Sequence, residues 1–136
     1  MNNKGQVSVE YVMLFGFLMV ILLPLMVFFY KYSLDTNDQV ISQQIDQVAK
    51  KIVDNVDAVY YLGEPSQTVL KIYLPGQVKN ATLARNELVF TINTRSGLNE
   101  IVQISKVNMT GTLSHSQGIH YLTIKATGQS VHISTK

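Results

Sequence analysis

Hydrophobic and polar positions along this chain follow three patterns in turn. The first has almost no polar positions: Tyr11 to Tyr30, YVMLFGFLMVILLPLMVFFY, holds no ionisable group except the phenols at its two ends. At helical rise these residues extend roughly 30 Å, about one hydrocarbon core. A helix buried in a soluble core would also be apolar all round, but a chain this short could hardly cover it on every side. The run therefore predicts a helix that enters a membrane. In the second pattern Val40, Ile41, Ile45, Val48, Ala49, Ile52, Val53, Val56, Val59 and Tyr60 recur at three- and four-residue steps, with Asp46, Gln47, Lys50, Asp54 and Asp57 on other faces. This is an amphipathic helix, stopped by Gly63 and Pro65. Between the two, Ser33 to Asp38 (SLDTND) contains poor helix formers but no glycine or proline. One long helix from about Gln6 to Leu62 is expected, with a bend near Pro24, which lacks a backbone donor and crowds the carbonyl of Val20.

From Thr68 the period becomes two. Leu70, Ile72 and Leu74 alternate with Lys71 and Tyr73; Leu88, Phe90 and Ile92 behave likewise, as do His120, Leu122, Ile124 and Ala126 against Tyr121, Thr123 and Lys125. Turn chemistry recurs at Pro75-Gly76, Arg85-Asn86, Ser96-Gly97, Gln117-Gly118 and Thr127-Gly128, which predicts an antiparallel sheet of about six or seven strands. The apolar stripe of residues 40 to 60 is the natural cover for such a sheet. The expected fold is α+β: a long N-terminal helix whose C-terminal half packs on an antiparallel β-rich head, two-layered or barrel-like.

Composition narrows the chemistry. The chain has 136 residues and no cysteine, which removes disulfides, thiolate metal sites and thiol nucleophiles. A formal charge of +2, spread along the chain, gives no basic patch for nucleic acid. His115, His120 and His132 are the only histidines, and neither H-E-x-x-H nor a phosphate-binding glycine loop occurs. Gly128-Gln129-Ser130-Val131-His132 lacks the second glycine of a nucleophile elbow. His115 and His120 flank Gln117-Gly118 and could approach across a hairpin, but polar strand residues explain them more simply. No enzyme, cofactor or metal is expected. Two N-glycosylation sequons occur, Asn80-Ala81-Thr82 and Asn108-Met109-Thr110, the second placed by its neighbour Gly111 in an exposed turn.

Ahead of the apolar run stands Lys4-Gly5-Gln6-Val7-Ser8-Val9-Glu10-Tyr11. No small-x-small cleavage site follows the run, as it would after a secretory signal peptide, so the apolar segment is expected to stay with the mature protein. Lys4, Glu10 and Lys31 give only a weak vote for a cytoplasmic N-terminus. A carboxylate at the edge of a hydrocarbon-buried helix is costly without a partner, although Glu10 could simply snorkel into headgroups.

These eight residues closely resemble the class III signal peptide of archaeal type IV-like pilins, whose pattern is Q-x-S-x-E. The match covers residues 4–11 closely and 1–30 in layout. The resemblance implies a cut between Gly5 and Gln6 by a membrane prepilin peptidase, giving a leader of residues 1–5, a filament-core helix at 6–36 and a head at 37–136. It makes Gln6, Ser8, Glu10 and Tyr11 the motif and assembly residues, with Glu10 meeting the new α-amine of Gln6 on a neighbouring subunit. It further implies an assembly ATPase and a membrane platform as partners, a homopolymer held by N-terminal helices, and an extracellular, adhesive filament. The rival readings are a single-pass membrane-anchored binding domain and a minor pilin or pseudopilin of a secretion or assembly system.

Overall fold

In a computed structural model, the backbone of residues 4–95 and 97–136 is described, with side chains from Ser8 onward except those of Asp35 and Ser96; Met1 to Asn3 of the expected leader and the serine of the Ser96-Gly97 turn lie outside the described residues. One helix, α1 (Lys4–Leu62), is followed by seven strands: β1 (Gln67–Leu74), β2 (Val78–Ala84), β3 (Glu87–Thr94), β4 (Gly97–Ile104), β5 (Asn108–Gly111), β6 (Gly118–Thr127) and β7 (Ser130–Thr135). The chain divides into two units, the first ending at Asn37 and the second spanning Asp38–Lys136, and α1 contributes to both.

The helix runs unbroken through both segments of low helix propensity. Pro24 sits inside it. In the Ser33–Asp38 stretch the hydroxyl of Thr36 donates back to the carbonyl of Tyr32 at 2.9 Å, a bond that satisfies a poor helix former without breaking the helix. Ser42 does the same to the carbonyl of Asp38 at 2.9 Å. Gly63 ends α1 in the left-handed region, φ 73°, its N–H donating to the carbonyl of Tyr60 at 3.0 Å.

The strands form two sheets rather than one. Four pair in the order β1-β6-β7-β5 and three in the order β2-β3-β4. Pro75-Gly76 is therefore a switch between sheets, not a hairpin within one. Arg85-Asn86 and the turn before Gly97 do close hairpins, as does the turn at Gly128. Gln117-Gly118 closes none: Gly118 begins β6, which pairs with β1, so His115 and His120 do not face each other across a hairpin. All pairings among the described residues are antiparallel except β5 with β7. Gly111 ends β5 against β7, not in an open turn; at φ 118° any Cβ there would collide with the carbonyl oxygen of Ile133.

Strand alternation places one face of each sheet in a shared core. Leu122, Ile124, Val131 and Ile133 come from the four-stranded sheet; Leu88, Phe90 and Ile92 come from the three-stranded one. Ile45, Ala49, Ile52 and Val56, one stripe of α1, complete it, all fully buried. Among the described residues no core side chain precedes Ile41.

Carboxylates of the helix hold its flank to the chain around β4. Asp38 accepts the N–H of Arg95 at 3.0 Å, and Asp46 accepts the amide of Gln103 at 2.7 Å. Asp57 accepts both the hydroxyl of Ser105, at 2.7 Å, and the N–H of Lys106, at 3.2 Å. Ser105 is the one polar residue among the buried side chains described, and its oxygen in turn accepts the N–H of Val107 at 3.2 Å. The Asp46–Lys50 pair forms at 2.9 Å. Its hydrogen bond from Lys50 holds the Asp46 carboxyl below its ordinary range, against partial desolvation and with help from Gln103.

Candidate assembly and processing site

The expected site residues lie on the first unit's stretch of α1. Gly5 and Gln6 are helical, and in this chain Gln6 is still in peptide linkage to Gly5, so its α-amine does not yet exist. Ser8 and Glu10 are exposed, and Tyr11 is 70% exposed. Positions 6 and 10 stand one turn apart on a single helix, so a contact between subunits would need a second chain. Among the side chains described, Lys50–Asp46 is the only ion pair, so Glu10 has no cationic partner within that set.

From Val9 to Tyr32 every large apolar side chain is exposed, including Leu23 at 60%, Met26 at 74% and Phe28 at 66%. Leaving one such side chain in water rather than burying it costs roughly 1.5–3 kcal/mol, so about twenty of them cost tens of kcal/mol. A small domain's whole stability is about 5–15 kcal/mol. This segment therefore belongs in lipid or against other apolar surfaces, and by length and composition it is sufficient to cross a membrane. A Cβ added at Gly16 would meet nothing within 4 Å, so no contact inside this chain requires glycine there. Beside Pro24 a shallow apolar concavity is lined by Met19, Leu22, Leu23, Met26 and Phe29.

Both sequon asparagines are exposed on edge strands. At Asn80 the side-chain amide donates to the Thr82 hydroxyl at 3.3 Å, while its oxygen accepts the N–H of Ala81 at 2.9 Å. Asn108 opens β5 rather than sitting in a loop, and the Thr110 hydroxyl is shared with His132 Nδ1 at 3.3 Å. His120 Nε2 donates to the carbonyl of Ser116 at 2.7 Å. No group of three potential metal ligands occurs among the described residues.

The motif points to residues on one short stretch of helix and gives no sign of the carboxylates at Asp38, Asp57 and Glu64. Glu64 accepts the N–H of Gly128 at 2.6 Å, tying the end of α1 to the β6–β7 turn. Their partners are 48 to 64 positions away in sequence, beyond the reach of any local pattern. No protein-family model, no curated protein and no solved structure matches this chain.

Proposed function

We propose that this chain is a pilin, the structural subunit of an archaeal type IV-like extracellular pilus used in surface adhesion. The observation that carries the reading is the pairing of a Q-x-S-x-E stretch with a helical segment whose large apolar side chains are all exposed while the folded core draws on none of them. Such a surface has two physical solutions, lipid before assembly and neighbouring helices afterwards. A prepilin peptidase cuts between Gly5 and Gln6, and an assembly ATPase and membrane platform move the processed subunit from the bilayer into the filament. Glu10, without a cationic partner among the described side chains of its own chain, accepts the new α-amine of an incoming or neighbouring copy and sets its register. The head, unit Asp38–Lys136, forms the filament surface.

The test is the N-terminus of material sheared from cells. Chains beginning at Gln6 in sheared filaments are expected. Full-length chains beginning at Met1, confined to the membrane fraction, would refute the reading and leave a single-pass anchored domain.

A further inference from the structure

The outward faces of the two sheets carry opposite charge. On the four-stranded sheet, Lys71 pairs with Tyr121 and Lys125 with Gln67, and all strands of this sheet together contain no carboxylate. Around the lysines Val69, Tyr73, Ile119 and Tyr121 are about half or more exposed, Tyr73 directly opposite Ile119. On the three-stranded sheet, Glu87 lies opposite Ile104 and Glu100 opposite Thr91, all pointing away from the core side occupied by Leu88, Phe90 and Ile92. Leu98, at 67% exposed, and Ile104, at 65%, stand beside these glutamates, and Lys79, at the β2 bulge, is the only cation on this sheet's strands.

The two charge pairs have the same spacing. Lys71 and Lys125 are offset by four residues along the strand and one strand across; Glu87 and Glu100 are offset in the same way. With a rise of about 3.3 Å and a strand separation of about 4.8 Å, each pair spans roughly 14 Å. Because both sheets turn their inner faces to one core, their outer faces lie on different sides of the head.

We infer that the basic face of one copy docks on the acidic face of the next, Lys71 and Lys125 against Glu87 and Glu100 with the exposed apolar side chains between them. The contact is heterologous, so it propagates from copy to copy instead of closing a dimer. An eight-residue, three-stranded face offers roughly 400 Å² per copy, below the size of a stable free complex. It therefore forms where copies are crowded, and it deepens the filament reading, resting on it only for that crowding.

The chain has no cysteine, so single cysteines report this contact cleanly. Full-length Val69→Cys and Val102→Cys chains are mixed in equal amounts at high density in phosphatidylcholine vesicles and oxidised. Heterodimer is expected at about five times either homodimer or more, where random encounter gives about twice. Lys71→Glu with Lys125→Glu in the first chain should remove the excess, and Glu87→Lys with Glu100→Lys in the second should restore it. A random ratio, excess homodimer, no face cross-link, or an excess indifferent to the reversals overturns the inference. So does retention of the chain on a polyuronate column, lost with the lysine reversals, if it accompanies a random ratio; the basic face would then serve an anionic polymer. A Phe17→Cys chain in the same vesicles separates this from the filament reading. Helix cross-links without face cross-links overturn the face pairing alone, absence of both overturns both readings, and face cross-links without helix ones uphold the pairing and count against polymerisation through helices.

Discussion

Replacing Asp57 by alanine probes the buried seam between α1 and the chain after β4. The carboxylate accepts from the Ser105 hydroxyl at 2.7 Å and the Lys106 N–H at 3.2 Å. Lys106 is exposed, and its N–H can turn to water at little cost. Ser105 is only 2% exposed, and its oxygen is already taken as an acceptor by the Val107 N–H, so its hydroxyl hydrogen is left with no partner. Orphaning a buried donor costs about 1–3 kcal/mol, and losing a charged acceptor falls in the same range, so Asp57→Ala should destabilise the head by about 2–3 kcal/mol. For a unit of this size that is a fall in Tm of roughly 8–20 °C. The assay is thermal unfolding of the full chain in a neutral detergent, followed by near-ultraviolet circular dichroism, so that the detergent-bound helix does not dominate the signal. Asp54→Ala, an exposed aspartate on the same helix, serves as control and should stay within about 0.5 kcal/mol. Equal Tm values for the two variants would refute the seam as a source of stability.

Gly111→Ala should cost about 1–3 kcal/mol or unpair β5, because the new Cβ meets the Ile133 carbonyl oxygen at φ 118°; an unchanged Tm would count against that contact. Asp46 has a folded pKa below its ordinary value, so its contribution is present above about 3.9 and is lost as pH falls through the lower folded value. The stability gap between wild type and Asp46→Asn should thus narrow as the solution is acidified below about pH 3.9, and it should be under about 1 kcal/mol because the Lys50 pair is largely exposed. A fragment Asn37–Lys136 keeps every core residue and should be a soluble, β-rich monomer; a disordered spectrum, or large polymers in sedimentation, would refute that division. Glu10→Gln should be inserted and cleaved nearly as wild type while filament yield falls sharply, measured as processed subunit in membranes against subunit in sheared filaments; equal filament yield would return Glu10 to an interfacial role.

Much of this architecture is legible in local periodicity. Ile45, Ala49, Ile52 and Val56 announce a buried helix stripe, and Leu88, Phe90 and Ile92 a strand face, because each pattern is set by neighbours within a few residues. The division into two sheets is not legible, since Pro75-Gly76 reads the same whether it turns within a sheet or crosses between two. The parallel pairing of β5 with β7 is hidden for a related reason: its signature is the close approach of Gly111 to Ile133, a contact between residues far apart in sequence. The motif at Lys4–Tyr11 can be read from sequence alone, whereas the use of Asp38 and Asp57 cannot, as both look like ordinary solvated helix residues until their partners are known.

That internal use of carboxylates bears on the charge of the surface. The chain has nine acidic side chains against eleven basic ones, a nearly even balance that by itself predicts no polarity between faces. Asp38, Asp46 and Asp57 turn toward the chain around β4, and Glu64 toward Gly128, so four of the acids are engaged in holding the head together. No acid at all follows Glu100 in the sequence, and β5, β6 and β7 are all drawn from that acid-free stretch. The β4 strand ends the acidic part of the chain and lies in the other sheet. Because the chain switches sheets after Leu74 and returns only with β5, topology converts an asymmetry along the sequence into one between two faces. A formal net charge near zero can therefore coexist with a basic face and an acidic face on one head. Like faces brought together would place Lys71 and Lys125 against lysines, or Glu87 and Glu100 against glutamates, and such juxtaposition disfavours a symmetric dimer through either face, as the proposed heterologous docking requires.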